Sequence, residues 1–470
     1  MFFYWENPMK MKQKRSIPWE MLPTIFVLAW PTMLEQLLQT AVQYIDTAMV
    51  GTLGTLATAA VGATSTVNWL VSSTISALGI GFLSFVSQAC GAGDSEKVHR
   101  ASSQAVLAVL VTGLFFTGLT LGASSFVPVW MQVDPAIQKL AAEYFFILYT
   151  PMLFRTATII FGTLLRAVGD SKTPMRVGLL VNAVNVILNF FLIYPSRTLL
   201  GLSVWGAGMG VTGAAWASAV SFAVGGICIT AVLWKHPLAS PVGKSLKPDF
   251  DVLRPCLKVA LPNALQRFGT SLGYVAFASM INSIGEVATA AHTIANTVES
   301  AFYIPGYGMQ TAAATLAGNA LGSRNNRRAH KLAQMVIFLE VVLMTLSGTL
   351  LFVFAPQMMQ LFSRDPDVIS LGSTVLRMVA ISEPFYGVAI IIEGMMQGMG
   401  NTLIPFVFSI SSMWGIRIVC TFLCTQLLGM GLISAWTCMI AHNLLLFMAF
   451  LVCYITGRWN PMNRKRLENI

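Results

Sequence analysis

The second half of this chain repeats the first half at a fixed offset of 231 residues, and this duplication constrains the fold more than any other feature. The offset holds without a gap from the first apolar segment to the loop after the fourth. The chain is therefore expected to consist of two halves with one shared architecture. The repeated pairs are Pro31 and Pro262, Met49 and Met280, Gly91 and Gly322, His99 and His330, Gly169 and Gly400, and Pro174 and Pro405.

Each half contains six apolar segments near the length of about 20 residues that a helix needs to cross a bilayer. Only 10% of the residues are charged, whereas soluble domains carry about 25%. These features predict an all-α polytopic membrane protein with twelve transmembrane helices and no large soluble domain. The predicted spans are 22–49, 56–85, 101–123, 138–165, 175–195, 207–233, 257–281, 289–317, 331–354, 369–396, 404–425 and 431–457.

Lysine and arginine are concentrated in the loops on one side of these spans. In short loops this excess marks the cytoplasmic side, so we expect a multi-pass protein of the plasma (cell inner) membrane with both termini cytoplasmic. The net charge of +10 then reflects topology and does not indicate nucleic-acid binding. The basic residues on this side are Lys10, Lys12, Lys14, Arg15, Lys97, Arg100, Arg166, Lys172, Arg176, Lys235, Lys244, Lys247, Arg254, Lys258, Arg324, Arg327, Arg328, Lys331, Arg458, Arg464, Lys465 and Arg466.

A polar, proline-rich stretch at 234–256 separates the two halves. Because each half has an even number of spans, both halves have the same orientation, and a pseudo-two-fold axis along the membrane normal should relate them. The predicted organisation is a cytoplasmic tail at 1–21, a six-helix N lobe at 22–233, a cytoplasmic linker at 234–256, a six-helix C lobe at 257–457 and a cytoplasmic tail at 458–470.

No motif in the chain supports an enzyme. The G-x-S-x-G spacing at 269–273 lies inside a predicted span, not at the strand-to-helix turn that exposes a catalytic serine. The stretch 242–245 resembles the end of a phosphate-binding loop but lacks its first glycine and its helix. The seven cysteines have no histidine or acid beside them at metal-ligand spacing. We therefore expect no catalytic residue, metal, cofactor or nucleotide, and uphill work would draw on an ion gradient.

Six charged residues are predicted near the middle of the membrane, where a charge costs at least about 2.5–3.5 kcal/mol. The expected arrangement is an ion pair in the N lobe and a balanced cluster of two acids and two bases in the C lobe. Such groups can be purely structural or can line a substrate cavity, and the sequence leaves both readings open. The N-lobe pair is Glu35 with Arg155, and the C-lobe cluster is Arg267, Glu299, Glu383 and Arg417.

Asp46 differs from these acids because no base is predicted at its depth in the N lobe. Its repeat counterpart is Phe277, so the shared scaffold does not require an acid at this position. Asn185 and Asn189 are four residues apart, share one helix face, and reach the same depth from the fifth span. A carboxylate with amide oxygens is suited to a proton or a hard monovalent cation. The alternative is that Asp46 binds no ion and only forms hydrogen bonds that hold neighbouring helices together.

Several motifs resemble the multidrug and toxic compound extrusion (MATE) family. The most specific are LRAVGDSKTP at 165–174 and GAAWAS at 213–218, and the resemblance extends from about residue 20 to 457. Pro31 followed by Asp46, and AAH at 290–292 followed by Glu299, also fit. The resemblance implies two six-helix lobes around a V-shaped cavity. It also implies cation-coupled export of organic, often cationic or aromatic, compounds by alternating access.

The resemblance also implies a site for the coupling ion. In members whose N lobe binds this ion, an Asp of the first helix is joined by side chains of the fifth and sixth helices. Those positions are Asp46, Asn185, Asn189 and Ser218 here. A sodium-type subgroup uses a Glu of the seventh helix, and 261–273 contains no acid. We therefore expect H⁺ rather than Na⁺ as the coupling ion.

The sequence thus predicts a cation-coupled antiporter for small organic substrates that acts as a monomer in the bilayer. A lipid-linked precursor flippase or a metabolite exporter of the same wider superfamily remains the alternative. A flippase is expected to have a cationic cavity for pyrophosphate, whereas the arginines here are expected to be balanced by acids. A channel fits less well because the chain has no filter-like repeated loop.

Overall fold

The computed structural model describes residues 18–131, 133–199 and 202–463. Helices make up most of this part of the chain, and one short 3₁₀ turn, Trp19–Met21, precedes them. The helices are α1 Leu22–Gly51, α2 Thr55–Gly91, α3 Ser95–Ala123, α4 Val127–Trp130, α5 Pro135–Tyr149, α6 Met152–Ala167, α7 Lys172–Leu192, α8 Gly210–Lys235, α9 Phe250–Asn282, α10 Glu286–Gly322, α11 Asn326–Gln360, α12 Pro366–Gly398, α13 Leu403–Leu427 and α14 Leu432–Ile455.

Eleven of the twelve predicted spans each lie mainly on one helix, and the span 138–165 is divided between α5 and α6. Among the described residues, nine helices are long and apolar enough to cross a membrane, and α5 with α6 makes a tenth span bent by 50°. The bend falls at Pro151, which caps α6 and cannot continue the backbone hydrogen bonds of α5. The other two spans, α9 and α10, are long enough at 33 and 37 residues but carry more polar side chains.

Three local features were not predicted. An antiparallel hairpin of β1, Pro195–Leu199, and β2, Leu202–Ala207, connects α7 to α8. The other two are π-helical turns, Met413–Ile418 and Leu423–Leu427, within α13. Such turns insert extra residues into a helix and often occur at functional sites. Arg417 lies in the first of them.

The two lobes have separate hydrophobic cores. One core is built mainly from α2, α3, α5, α6 and α8, and includes Leu83, Phe145 and Leu164. Two others are built mainly from the C lobe and include Met395 and Trp436, and one of these two also contains Ile25, Leu28 and Ala29 of α1. The lobes contact each other mainly through α1 with α10 and through α2 with α9 and α10.

The contact between α2 and α10 follows the internal repeat. A Cβ atom at Gly91 would overlap the carbonyl oxygen of Asn319, and one at Gly322 would overlap that of Gln88. Gly91 corresponds to Gly322 in the repeat, and Gln88 corresponds to Asn319. The contact is therefore reciprocal, as a two-fold axis between the lobes requires. It lies where both helices enter Lys/Arg-rich loops, and it holds the two backbones at a distance that only glycine permits.

Candidate functional site

Asp46 of α1 and Asn189 of α7 are hydrogen-bonded across the N lobe. The Nδ2 atom of Asn189 donates to Oδ1 of Asp46 at 2.6 Å. Asn189 is buried, at 1% exposure, whereas Asp46 is half-buried. In the described part of the chain, no Lys, Arg or His lies within ion-pair distance of Asp46. The carboxyl therefore meets neutral amide groups and no base, as the sequence predicted.

Asn185 and Ser218 extend this arrangement. The amide nitrogen of Asn189 also donates to Oδ1 of Asn185 at 3.1 Å, and the amide nitrogen of Asn185 donates to Oγ of Ser218 at 3.1 Å. Rotating the Asn185 amide by half a turn places its nitrogen 2.7 Å from Oδ1 of Asp46 and its oxygen 3.1 Å from Ser218. The four side chains are linked in both orientations, but only the bond between Asn185 and Ser218 reverses its donor and acceptor. In the rotated orientation the nitrogens of Asn185 and Asn189 both donate to Asp46 and no longer bond each other.

The local packing explains why these four residues meet. Asn185 and Asn189 are one helical turn apart on α7, so both face α1 and α8. A Cβ at Gly213 of α8 would lie 2.6 Å from the carbonyl oxygen of Leu192, so glycine there lets α8 approach the end of α7. In the C lobe, Phe277 replaces Asp46 and is buried at 1% exposure. The same scaffold is thus filled by an apolar side chain in one lobe and a polar chain in the other.

The predicted ion pair between Glu35 and Arg155 is wrong. Glu35 is paired with Arg166, whose Nη2 atom lies 2.6 and 2.7 Å from the two carboxylate oxygens. Both side chains are largely buried, at 16% exposure for Arg166 and 19% for Glu35. The sequence predicts a loop position for Arg166, but it lies in the last turn of α6 and its long side chain reaches back into the lobe.

Arg155 has neutral partners instead. Its Nη1 atom donates to Oδ1 of Asn68 and its Nη2 atom to Oγ of Ser72, both at 2.6 Å. The guanidinium also lies over the ring of Phe222, 4.8 Å from the ring centre. No acid within the described ranges forms an ion pair with Arg155. The prediction that acids balance every arginine near the middle of the membrane is therefore wrong for Arg155. The argument against a flippase used that balance and is weaker as a result.

The predicted C-lobe cluster forms only in part, because Glu299, Glu383 and Arg417 lie near one another without an ion pair and Arg267 lies nearer Glu393. Arg267 donates to Oδ1 of Asn263 at 3.0 Å, and Arg417 lies over the rings of Phe277 and Tyr274, with centroid distances of 4.1 and 4.9 Å. Neither arginine forms an ion pair with a described carboxylate. The sequence gives the depth of these residues along each helix. It does not give the rotation of each helix about its axis, which decides which side chains meet.

The buried acids of the C lobe group with one another. Glu299 lies within electrostatic range of Arg417, whereas Glu383 lies within range of Glu299 and Glu340. Both oxygens of Glu340 and one oxygen of Glu383 have no hydrogen-bond partner in the described structure. Glycines at 306 and 387 make room for Glu340, because a Cβ there would lie 2.6 and 3.0 Å from its Oε1.

Glu393 is a half-buried acid of α12 whose role is not evident from the sequence. Its Oε1 atom accepts from Gln266 at 2.8 Å and from Gln397 at 2.9 Å. The two glutamines are the repeat counterparts of Glu35 and Arg166. Each lobe therefore joins its first and fourth spans by a polar bridge at the same position, as an ion pair in the N lobe and as a carboxylate between two amides in the C lobe. This match could have been found by comparing the repeats.

Comparisons with known proteins all indicate the same family. The sequence profile of the MatE family matches residues 31–191 and 262–423. The chain is similar to the "Probable multidrug resistance protein NorM" of Thermotoga maritima, with 27% identity over 97% of this chain and 98% of that protein. It is also similar to the "Probable multidrug resistance protein YpnP" of Bacillus subtilis, with 27% identity over 94% of this chain and 96% of that protein.

Solved structures agree with the fold. A crystal structure of MATE in complex with MaL6 superposes with a TM-score of 0.87, at 22% identity, over 96% of this chain and 98% of that chain. An outward-facing multidrug resistance MATE family transporter superposes with a TM-score of 0.84, at 23% identity, over 94% of this chain and 96% of that chain. Two six-helix lobes, twelve transmembrane helices and an all-α class are thereby confirmed.

Proposed function

The chain belongs to the MatE family of membrane transporters, which are not enzymes, and from this we propose that it exports small organic compounds in exchange for a cation bound at Asp46. The names of the similar proteins from Thermotoga maritima and Bacillus subtilis support drugs and other toxic organic molecules as the exported class. The observation that carries the cation part is the base-free carboxyl of Asp46, held by Asn189 at 2.6 Å.

A proton is the cation that this geometry favours. The contacts to Asp46 come from amide N–H groups, whereas a metal cation would need amide oxygens directed at it. Asn189 Oδ1 is buried and has no donor among the described residues, so an acceptor remains close to the carboxyl. Rotation of the Asn185 amide reverses its hydrogen bond to Ser218, so the amide can reorient when the charge of Asp46 changes, although the amides do not carry the proton themselves.

Helix α1 connects this site to the opposite lobe. Tyr44, two residues before Asp46, donates to the carbonyl oxygen of Thr297 in α10 at 3.0 Å. Nearer the start of α1, the hydroxyl of Thr32 donates to the carbonyl oxygen of Gly308 at 2.8 Å. Binding a proton at Asp46 removes a bare charge from an apolar setting and so favours one conformation over another. Because α1 carries both the site and these contacts, its movement would change how the lobes meet.

The direction of transport follows from the basic loops. We propose that the ends of α2 and α10 at Gly91 and Gly322 face the cytoplasm, because both lead into Lys/Arg-rich loops. The close contact there would then close the cytoplasmic side. The protein is accordingly proposed to lie in the plasma membrane, as a monomer with cytoplasmic termini.

Transport in proteoliposomes tests this function. The purified protein is reconstituted, and the uphill movement of a fluorescent organic cation such as ethidium is followed. A proton gradient and a sodium gradient are imposed in separate experiments. We expect transport under the proton gradient alone. Transport driven only by sodium would reject the proton assignment, and no transport under either gradient would reject coupled export.

A further inference from the structure

An apolar groove lies on the outer surface of the helix bundle, between α2 and α3 of the N lobe and the first turns of α9. It measures about 190 Å³, and its walls include Phe82, Leu107 and Leu257. Two wall residues are largely exposed, Val111 at 60% and Leu257 at 52%. Sites for drug-sized ligands measure about 300–1,000 Å³. The groove is therefore too small for a transported compound of that size, but its apolar walls suit a hydrocarbon chain.

The groove lies where the two lobes meet. A Cβ atom at Gly81 of α2 would overlap the carbonyl oxygen of Cys256 in α9, so glycine lets these helices come into close contact. Cys256 is itself part of the groove wall. A molecule held here touches both lobes, and it binds best to the conformation in which α2 and α9 are together. Its binding would therefore favour that conformation.

Two basic side chains lie beside the groove on α9. Arg254 and Lys258 are one helical turn apart, and each directly follows a wall residue, Leu253 or Leu257. Both basic side chains are exposed. Long basic side chains commonly lay their apolar stems along a hydrophobic surface and keep the charge at the membrane boundary. The apolar groove is thus bordered by positive charge at the end of α9 that leads into the linker.

The neighbouring acids do not neutralise this pair. Asp249 and Asp251 both pair with Arg100 of α3, at 2.5 and 3.6 Å. Among the described residues, no carboxylate forms an ion pair with Arg254 or Lys258. Two positive charges therefore remain available to an anionic group at the membrane surface.

The internal repeat preserves the frame around the groove. The ion pair between Arg100 and Asp251 has its counterpart in the pair between Lys331 and Glu20 on the other side of the molecule. Both pairs join the start of the third span of one lobe to the chain entering the first span of the other. Differences between the two places are therefore local.

One such difference is how the two places are covered. On the C-lobe side, Trp19 packs edge-on against Phe338, with ring centres 6.0 Å apart. The counterparts of these residues are Phe250 and Leu107. Phe250 is 62% exposed, and its ring centre lies 5.7 Å from the guanidinium carbon of Arg254. Leu107 remains a wall of the open groove.

The charges differ in the same way. The repeat counterparts of Arg254 and Lys258 are Pro23 and Val27. The scaffold therefore does not require a basic pair at this position. Positive charge occurs on the side where the groove is open and is replaced by apolar residues where an aromatic pair lies.

We propose that this groove binds one phospholipid with an anionic headgroup. One acyl chain lies between α3 and α9, and the phosphate group is held by Arg254 and Lys258. Anionic lipids of the cytoplasmic leaflet attract basic residues next to membrane spans, which fits the position of this pair beside the basic linker. The lipid is a bound ligand that stabilises the contact between the lobes, and it is not the transported molecule.

Lipid binding to the purified protein tests this site. Phosphatidylglycerol and phosphatidylcholine with identical acyl chains are added separately to delipidated protein in detergent, and native mass spectrometry gives the dissociation constant of each. The main variant combines Arg254→Gln with Lys258→Gln. The matched control combines Arg327→Gln with Arg328→Gln, which removes two exposed charges from another Lys/Arg-rich loop.

The expected result is a loss that depends on the headgroup. Wild-type protein should bind phosphatidylglycerol more tightly than phosphatidylcholine. The main variant should weaken phosphatidylglycerol binding by a factor of about 30, from about fivefold for each basic residue near an anionic headgroup. Its binding of phosphatidylcholine should not change, and the control should change neither lipid. Phosphatidylglycerol should also raise the melting temperature of the wild type more than that of the main variant.

A second variant tests the acyl chain. Ala108→Leu narrows the groove with the residue that the C lobe has at this position, Leu339, and should weaken binding of both lipids. Circular dichroism shows whether this variant is folded. If it is not, Leu257→Ala, which removes an exposed wall of the groove, should have the same effect.

Four outcomes would overturn the proposal. Equal phosphatidylglycerol affinity in the wild type and the main variant, or an equal loss in the control, would show that Arg254 and Lys258 do not hold the headgroup. Unchanged binding in the groove variants would show that no chain lies there. Displacement of the lipid by inorganic phosphate alone would indicate a site for the free ion, and a change of oligomeric state in the groove variants would indicate a second copy of the chain. No transported compound is used, so the result is independent of the proposed function.

Discussion

Glu35 and Arg166 form an ion pair at 2.6 Å at the place where the repeat has Gln266 and Gln397 on either side of Glu393. Both bridges join the first and fourth spans of their lobe, yet they use different chemistry. The bridge itself is therefore the shared structural requirement, and an ion pair is only one way to meet it. We therefore propose that Glu35 has a structural role.

A double-mutant cycle tests this structural role. Removing one partner leaves a largely buried charge uncompensated, so Glu35→Gln should cost about 3 kcal/mol of folding stability. Glu35→Gln with Arg166→Gln places at both positions the residue that the C lobe has there and leaves no uncompensated charge, so it should recover most of the loss. Thermal unfolding of the purified variants measures both effects. Losses that simply add in the double mutant would show that the pair is not coupled.

The reciprocal glycine contact between α2 and α10 gives a second prediction. Gly91→Ala and Gly322→Ala should each prevent the close approach of the two helices and reduce transport to a similar extent, because the contact is symmetric. Gly118→Ala is the matched control, since nothing lies within 4 Å of a Cβ at that position. Efflux rates of the three variants provide the measurement. Normal transport by both interface variants would contradict the proposed closure.

Much of the site was predictable because it follows simple periodicity. Asp46, Asn185 and Asn189 were identified from depth along straight helices and from the break in the repeat at Phe277. Ser218 came only from the family resemblance, because nothing in its local sequence marks it. The fold class followed from span length and from the duplication, which do not depend on side-chain contacts.

The partners of the charges were not predictable in this way. Arg166 lies at a helix end, and its reach depends on the direction of a long flexible side chain. Arg155 is held by an amide and a hydroxyl, so a search for opposite charges cannot find its partners. The positions of Arg267 and Arg417 depend on helix rotation, which in α13 is altered by a π-helical turn.

His236 provides a prediction of pH dependence outside the membrane spans. It follows the last residue of α8, and its Nδ1 atom accepts from the backbone nitrogens of Leu238 and Ala239 at 3.3 and 3.1 Å. Burial lowers the pKa of His236 below its usual value, although Asp170 at 3.9 Å acts in the opposite direction. Folding thus favours the neutral ring, and this contribution is complete above the unfolded pKa of about 6.5.

Acidification should therefore destabilise the protein partly through this histidine. As the pH falls from 7.5 through about 6.5 towards the lower folded pKa, the unfolded state takes up the proton first and the stability contribution declines. His236→Asn keeps a neutral acceptor that does not titrate. The fall in melting temperature between pH 7.5 and 5.5 should be smaller in this variant, by up to a few degrees. An identical fall in variant and wild type would reject the assignment.

Asn189 supports Asp46 without carrying the charge. Asn189→Ala removes one hydrogen bond to the carboxyl and breaks the chain to Asn185. Because hydrogen bonds to charged groups contribute about 1.5–3 kcal/mol, proton-driven efflux should fall by about tenfold or more without being abolished. Dye binding should stay near the wild-type value. A variant with unchanged efflux would show that Asn189 has no part in coupling.

The most direct test of the coupling site is dye transport by Asp46→Asn in proteoliposomes, under a proton gradient and, separately, under a sodium gradient. Asp94→Asn is the matched control, because Asp94 is a helix cap at the start of α3 where Asn serves equally well. The account predicts that Asp46→Asn binds rhodamine 123 like the wild type but exports nothing against its gradient, while Asp94→Asn transports normally. Wild-type export by Asp46→Asn under the gradient that drives the wild type would contradict it and place the coupling ion elsewhere.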